Sequence, residues 1–493
     1  MRPILAGIET EYGLLVEGRG AEDQVDESKA LVRSYPGECL STWNYRYESP
    51  RSDLRGFKLE QLAVDPIDEQ FDAGRAPQRA EDLRSDRILT NGARFYNDHG
   101  HPEYATPECF SLRSLALHDR YGESAVLSAA ARYAAESDQT IHVYKNNTDF
   151  HGASYGTHES YLVPRSIGFE RLYEAVLPML VVRQILTGSG KVGSESGRWV
   201  DFQLSQRADF FTEPLNAETL YRRPIFNTRD ECHADPEQWI RLHVISGDAN
   251  MMPHATARKV GLVKLAIGLA EAGHTPPWKF RDAVESAKSI SRDLSLEFKI
   301  ELQGRSWTTG YEILESYFAA AEQVLDLPDE LKDLIVECRQ ILEALRSGEW
   351  RDVSHQIDWA AKRYLLEHFM EEEGGSWKDS SIRSLDLEYH NIDPEAGLYH
   401  ALEGMGHVRP YASDEEIEGC TVGNQDGTRA LARSVAVTKF ADYVHTACWK
   451  SITFKSKGKL IECDLKPDMM YSSHLYEVDD VETFINILRG THD

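Results

Sequence analysis

The spacing of apolar residues changes once along this chain, near residue 250, and that change constrains the fold more than any single motif. Before it, short segments read as strands: 8–16 (IETEYGLLV), 93–98 (ARFYND), 141–147 (IHVYKNN), 158–163 (HESYLV), 199–206 (WVDFQLSQ) and 241–246 (RLHVIS). Alternation of this kind marks half-buried strands. Beyond residue 250 the spacing becomes helical. Residues 254–273 (HATARKVGLVKLAIGLAEAG) carry an apolar stripe that Gly273 closes, and further helices are expected at 282–298, 309–325, 330–347 and 354–372. Strands first and helices later predict α+β with an antiparallel sheet rather than alternating βαβ units. GxxxxGK[ST] does not occur, so any nucleotide must be held without a P-loop.

The chain has 493 residues, enough for one large domain and a smaller one. After residue 423, GNQDGTRALARSVAVTKF reads as a helix and TACWKSITFKSKGKLIECDL as short strands. The expected division is a catalytic domain over 1–423 and a small C-terminal domain over 424–493. Residues 35–90 are polar, charged and dotted with proline, and read as one long inserted loop, either a surface insertion or a lid over a site. With 54 Lys+Arg against 81 Asp+Glu the net charge is −27, which argues against nucleic-acid binding and gives no attraction to a membrane surface. No apolar run is long enough to span a bilayer, and the N-terminus turns acidic before a signal peptide could develop. The seven cysteines are scattered without CxxC, as expected of reduced thiols in a cytoplasmic protein.

Two stretches carry the chemistry. In GIETEYG (7–13), Glu9 and Glu11 share one face of a strand, where like charges need water or a cation between them. In TNGARFYNDHGHPEYATPE (90–108), Arg94, Tyr96 and Asp98 share a face, His99-Gly100 offers a turn, and Glu103 can face back from the return strand. One hairpin thus presents a guanidinium, a phenol and two carboxylates. Carboxylates on adjacent strands suit a hard cation such as Mg²⁺ and not zinc, and HGH (99–101) is a weak zinc signal. Arg207, Arg229 and Arg241 are candidate forks for phosphate or carboxylate, His158 and His243 are candidates to touch a metal or substrate oxygen, and Trp449 could stack on a base. Asp98 can serve as nucleophile, as base for water, or as a further metal ligand.

These stretches, with YKNNTDFHGASYGTHESYL, LSQRADFF, PIFNTRDE, RLHVISGDANM and DLEYH, resemble the family of Pup ligases and Pup deamidases/depupylases, relatives of glutamine synthetase and the carboxylate–amine ligases. The resemblance covers nearly the whole chain. It implies a curved antiparallel sheet forming a cradle, packed by helices, with ATP (or ADP with phosphate) and Mg²⁺ at one end and the C-terminus of Pup at the other. It assigns Mg²⁺ to Glu9, Tyr96 and Glu103, with Glu11 adjacent, nucleotide contacts to Arg94, Thr106 and Trp449, and catalysis to Asp98. The long insertion at 35–90 resembles the deamidase branch, which hydrolyses the terminal carboxamide of Pup and Pup–lysine isopeptides. The alternative is the ATP-consuming ligase. Either activity implies Pup and pupylated proteins as partners of a monomer.

Overall fold

The computed structural model describes residues 1–48, 51–60, 84–148, 154–195, 197–219, 222–422 and 427–490. Its centre is a seven-stranded sheet. Along the chain its first strands are β1 (Ala6–Glu11), followed by a separate short strand β2 (Gly13–Val16), then β3 (Cys39–Leu40), β4 (Arg87–Leu89), β5 (Arg94–Asp98) and β6 (His101–Ala105). After β7 (Ile141–Tyr144), which pairs with β2 outside the main sheet, come β8 (Thr157–Pro164) and the strand Trp239–Gly247. Across the sheet the order is Trp239–Gly247, β8, β1, β6, β5, β4, β3, and every neighbouring pair is antiparallel. The α+β organisation around an antiparallel sheet is the one expected.

Alternation sorts the side chains. Ile8, Phe95, Tyr104, Tyr161 and Val244 are buried on one face, in apolar clusters that include the helices behind the sheet. Those helices are Leu112–Ser137, Phe169–Val182, Pro253–Glu271, Gly310–Val324 and Asp329–Arg346. Pro253–Glu271 is buried nearly all round, and its internal cations end on backbone oxygens: Lys259 Nζ on Asp248 O at 2.7 Å and Lys264 Nζ on Phe110 O at 2.6 Å. Residues 427–490 form a helix (Arg429–Phe440), a three-stranded antiparallel sheet and a last helix (Val481–Leu488) around an apolar cluster that also takes in Trp43 and Ile88.

Several expectations need correction. The 8–16 strand is two strands: up to Glu11 the chain pairs with β6 and β8, and from Gly13 it pairs instead with β7 outside the main sheet. Residues 199–206 contain only the two-residue strand Phe202–Gln203, since the polar groups that follow bond side chains and turns. The helix expected over 282–298 ends at Arg292: Leu296 and Phe298 both take positive φ, which a helix does not allow. Helices are not confined to the second half, as Leu112–Ser137 and Phe169–Val182 show. Nor is 35–90 wholly loop: β3 and β4 belong to the sheet, and Trp43, Leu54 and Ile88 are buried. Residues 49–50 and 61–83 of that insertion, and the boundary expected near 424, lie outside the described residues.

Candidate functional site

The floor of the cradle follows from register. Arg94 pairs across the sheet with Ala105, Ala105 with Glu9, and Glu9 with His158. One step along, Tyr96 pairs with Glu103 and Glu103 with Glu11. At the rim Asp98 pairs with His101 across a two-residue turn, with φ of 46° at His99 and 91° at Gly100. Two positive φ values in succession make a tight hairpin that matches strand twist. This turn fixes how far Asp98 stands from the rest of the floor.

Two clusters of ligand atoms result, each with its atoms within 4.8 Å of one another: Glu11, Asp98 and Glu103, and Glu9, His158 and His243. In the first, burial and the charge of Asp98 push the Glu11 carboxyl up to about 7, and burial with three carboxylate neighbours pushes Glu103 well above the usual range. Burial opposes the ionisation of Asp98 too, but Arg84, at 3.3 Å, together with His99, His158 and Arg94 outweighs it and holds this carboxyl below its ordinary value. Burial and mutual repulsion thus work against ionisation of Glu11 and Glu103, while the cations around Asp98 favour it there. Glu103 Oε2 is buried without a hydrogen-bond partner. Its Oε1 accepts from the Tyr96 hydroxyl at 2.6 Å. An all-oxygen donor set with an orphaned buried oxygen fits a hard divalent cation. The Tyr96 phenol is held strongly neutral by burial and by Glu103, so in this state it acts as a donor to Glu103.

In the second cluster, Arg241 Nη2 donates to Glu9 Oε1 at 2.7 Å, while Glu9 Oε2 faces His243 Nε2 at 3.7 Å and His158 Nδ1 at 4.0 Å. Burial opposes ionisation of Glu9, but Arg241 and His243 hold its carboxyl well below the usual range. Burial and the neighbouring His243 lower His158 to about 3, so its ring is neutral. His158 also bridges the clusters, its Nε2 lying 3.8 Å from Glu11 Oε2.

Beside Glu9 a cavity opens between the sheet and the C-terminal residues, lined by Thr106, Leu162, His233, Arg241, Arg429 and Trp449. Thr106 and Trp449 both line this cavity. Arg94 sits apart from that lining: it pairs with Asp86 at 2.6 Å and lies between Trp43 and Tyr96, its guanidinium 4.0 Å and 3.9 Å from their ring centroids. Arg207 is not free to fork a ligand. Its two Nη groups donate to Tyr155 O at 2.9 Å and Ile245 O at 2.7 Å, bracing the turn whose Gly156 N–H bonds Glu11 Oε2 at 2.6 Å. Arg229 is buried near Glu231, at 3.9 Å, with its Nε unpartnered. Sequence reasoning missed Arg84, Asp86, His233 and Arg429: the first two lie in the stretch read as an inserted loop, and Arg429 is 321 positions from the Glu108 it faces. Glu108 stood inside the quoted TPE and was passed over.

The family model described as Pup-ligase protein matches residues 4–453. The depupylase of Acidothermus cellulolyticus is 36% identical over 469 residues, covering 92% of this chain and 91% of that protein. The Pup deamidase/depupylase of Mycobacterium tuberculosis is 34% identical over 472 residues, covering 92% and 91%. The Pup–protein ligase of Pseudarthrobacter chlorophenolicus is 39% identical over 360 residues, covering 71% and 79%. Among solved structures, the complex of Pup with its ligase PafA superposes with a TM-score of 0.77 at 27% identity, over 99% of this chain and 92% of that one. The PafA complex with ADP superposes with 0.73 at 28% identity, over 89% and 96%. Agreement over this length, in sequence and fold alike, makes the chain a member of the Pup-ligase family.

Proposed function

We propose that the protein is a nucleotide-dependent amidohydrolase that deamidates the C-terminal glutamine of Pup to glutamate and cleaves Pup–lysine isopeptide bonds. The observation that carries this reading is the placement of Asp98: an ionised carboxylate at the rim of an acidic floor, held by Arg84 and open to the cradle. Matches to depupylases over 92% of the chain, against 71% for the ligase, favour hydrolysis over ligation. In this reading the enzyme is a cytoplasmic monomer.

Glu11 and Glu103, with Glu9 in the neighbouring cluster, would hold Mg²⁺, while Thr106, Arg241 and Trp449 would hold ATP, or ADP with phosphate. Bound there, Mg²⁺ would neutralise phosphate charge and polarise a substrate oxygen. The protein's own part centres on Asp98. Its carboxylate attacks the carboxamide carbon, the C–N bond breaks, and the amine leaves with a proton; water then opens the anhydride. Alternatively Asp98 takes a proton from the water that attacks directly. Both routes add one water across the C–N bond, its proton balancing the one taken by the departing amine, and release ammonia or a lysine amine.

A second reading, the ATP-consuming Pup ligase, draws on the ligase relative and the two ligase structures. Incubation with glutamine-ended Pup and ATP separates the two. Ammonia release without matching ADP is expected; ADP equal to conjugate formed would overturn the hydrolase reading.

A further inference from the structure

Arg241 has two possible anionic partners and one guanidinium. Its Nη2 is on Glu9 Oε1 and its Nε on Ser160 Oγ at 3.0 Å, but Nη1 has no hydrogen-bond partner among the described residues. The same side chain lines the cavity that Thr106 and Trp449 share. Glu9 is equally divided. One oxygen is taken by Arg241, and the other faces His158 and His243. Both ring nitrogens of His243 are buried without a hydrogen-bond partner. Glu9, His158 and His243 thus form a seat for a cation whose charge Arg241 already supplies from outside.

We propose that Arg241 is a counter-ion shared between Glu9 and the anionic part of a bound nucleotide, so that cation and nucleotide bind cooperatively through it. With Arg241 on Glu9, a cation entering the seat meets a fixed positive charge in a partly desolvated site, where like charges repel strongly. An anion arriving in the cavity draws on the free face of the guanidinium, offsets that charge and frees Glu9 for the cation. By reciprocity, a cation on Glu9 releases Arg241 toward the anion. Arg241 is therefore a positioning residue whose removal has opposite effects on the two ligands. This inference rests on the functional reading above.

The test uses the full-length protein with Mn²⁺ as cation probe, followed by its paramagnetic signal without nucleotide, and ADP titrated calorimetrically with excess chelator. Arg241→Gln is expected to tighten Mn²⁺ about tenfold and weaken ADP about tenfold. Weakening of both, or Mn²⁺ affinity left unchanged, would overturn the proposal. Adding Glu9→Gln to Arg241→Gln is expected to abolish the tightening; tightening that persists places the effect elsewhere and overturns the proposal. Arg241→Lys, which keeps the charge, covers the case in which the glutamine variant does not fold. It is expected to leave Mn²⁺ affinity within threefold or so of the wild type, and a large gain would count against the proposal. Wild-type protein that binds neither probe would remove the functional reading itself, and with it this inference.

Discussion

Glu103 and Glu108 lie on one short stretch of chain, both buried and opposite in character. Burial opposes ionisation at each. At Glu108 the guanidinium groups of Arg433 and Arg429 outweigh it and hold the carboxyl down at about 2. At Glu103 the neighbours are carboxylates, and burial with their charge pushes it well above the usual range. Glu108 ties the hairpin to the C-terminal helix, its oxygens meeting Arg429 Nε at 2.6 Å and Arg433. A matched buried charge is structure; a crowded one is a place prepared for something positive. The same residue type, five steps along, serves the two ends because the partners come from distant parts of the chain.

The contrast predicts that changes in the crowded cluster cost function and changes in the matched cluster cost stability. Asp98→Asn should lower ammonia release from glutamine-ended Pup by about a thousandfold or more while the melting temperature stays within a few degrees. Retained activity would show that Asp98 is not the reacting group. Glu108→Gln leaves two buried guanidinium groups without their anion and should cost roughly 3–5 kcal/mol in urea unfolding; an unchanged midpoint would erase the distinction drawn here. The pH dependence has a definite sign. Because the folded-state value of Glu108 is depressed from 4.5 to about 2, its contribution is present above pH 4.5 or so and fades as pH falls toward 2. Roughly 3 kcal/mol should separate wild type from Glu108→Gln at pH 6 and shrink by pH 2.5. The smallest effect is at Glu103→Gln, which removes an acid already pressed to keep its proton. Stability without metal should change by about 1 kcal/mol or less, yet the rise in melting temperature on adding Mg²⁺ should disappear. A Mg²⁺ shift that survives would remove Glu103 from the cation site.

Sequence made the cradle face readable because strand alternation needs no long-range information. Arg94, Tyr96 and Asp98 had to share a face, and His99-Gly100 had to turn. What escaped was set by tertiary contact. The break after Glu11 depends on pairing with the distant β7, and the loss of the 282–298 helix beyond Arg292 depends on a loop in left-handed backbone. Leu112–Ser137 was hidden because its buried side carries His118, Asp119 and Glu123, which blur an amphipathic stripe. The role of Arg207 was misread for a related reason. An arginine in a motif looks like a ligand fork until the backbone oxygens around it are known.

Thr10, between the two glutamates of β1, bonds Asp119 Oδ1 at 2.9 Å behind the sheet, and Asp119 in turn is held by Lys145 at 2.8 Å. Sliding β1 by a single position would swing both glutamates into the apolar side and leave the threonine facing the ligand. Such a misalignment would strand two carboxylates in oil and leave Asp119 without the Thr10 hydroxyl. The working arrangement at the front is therefore proofread by the interior: a molecule that has packed its core correctly has, by the same act, aimed its acids.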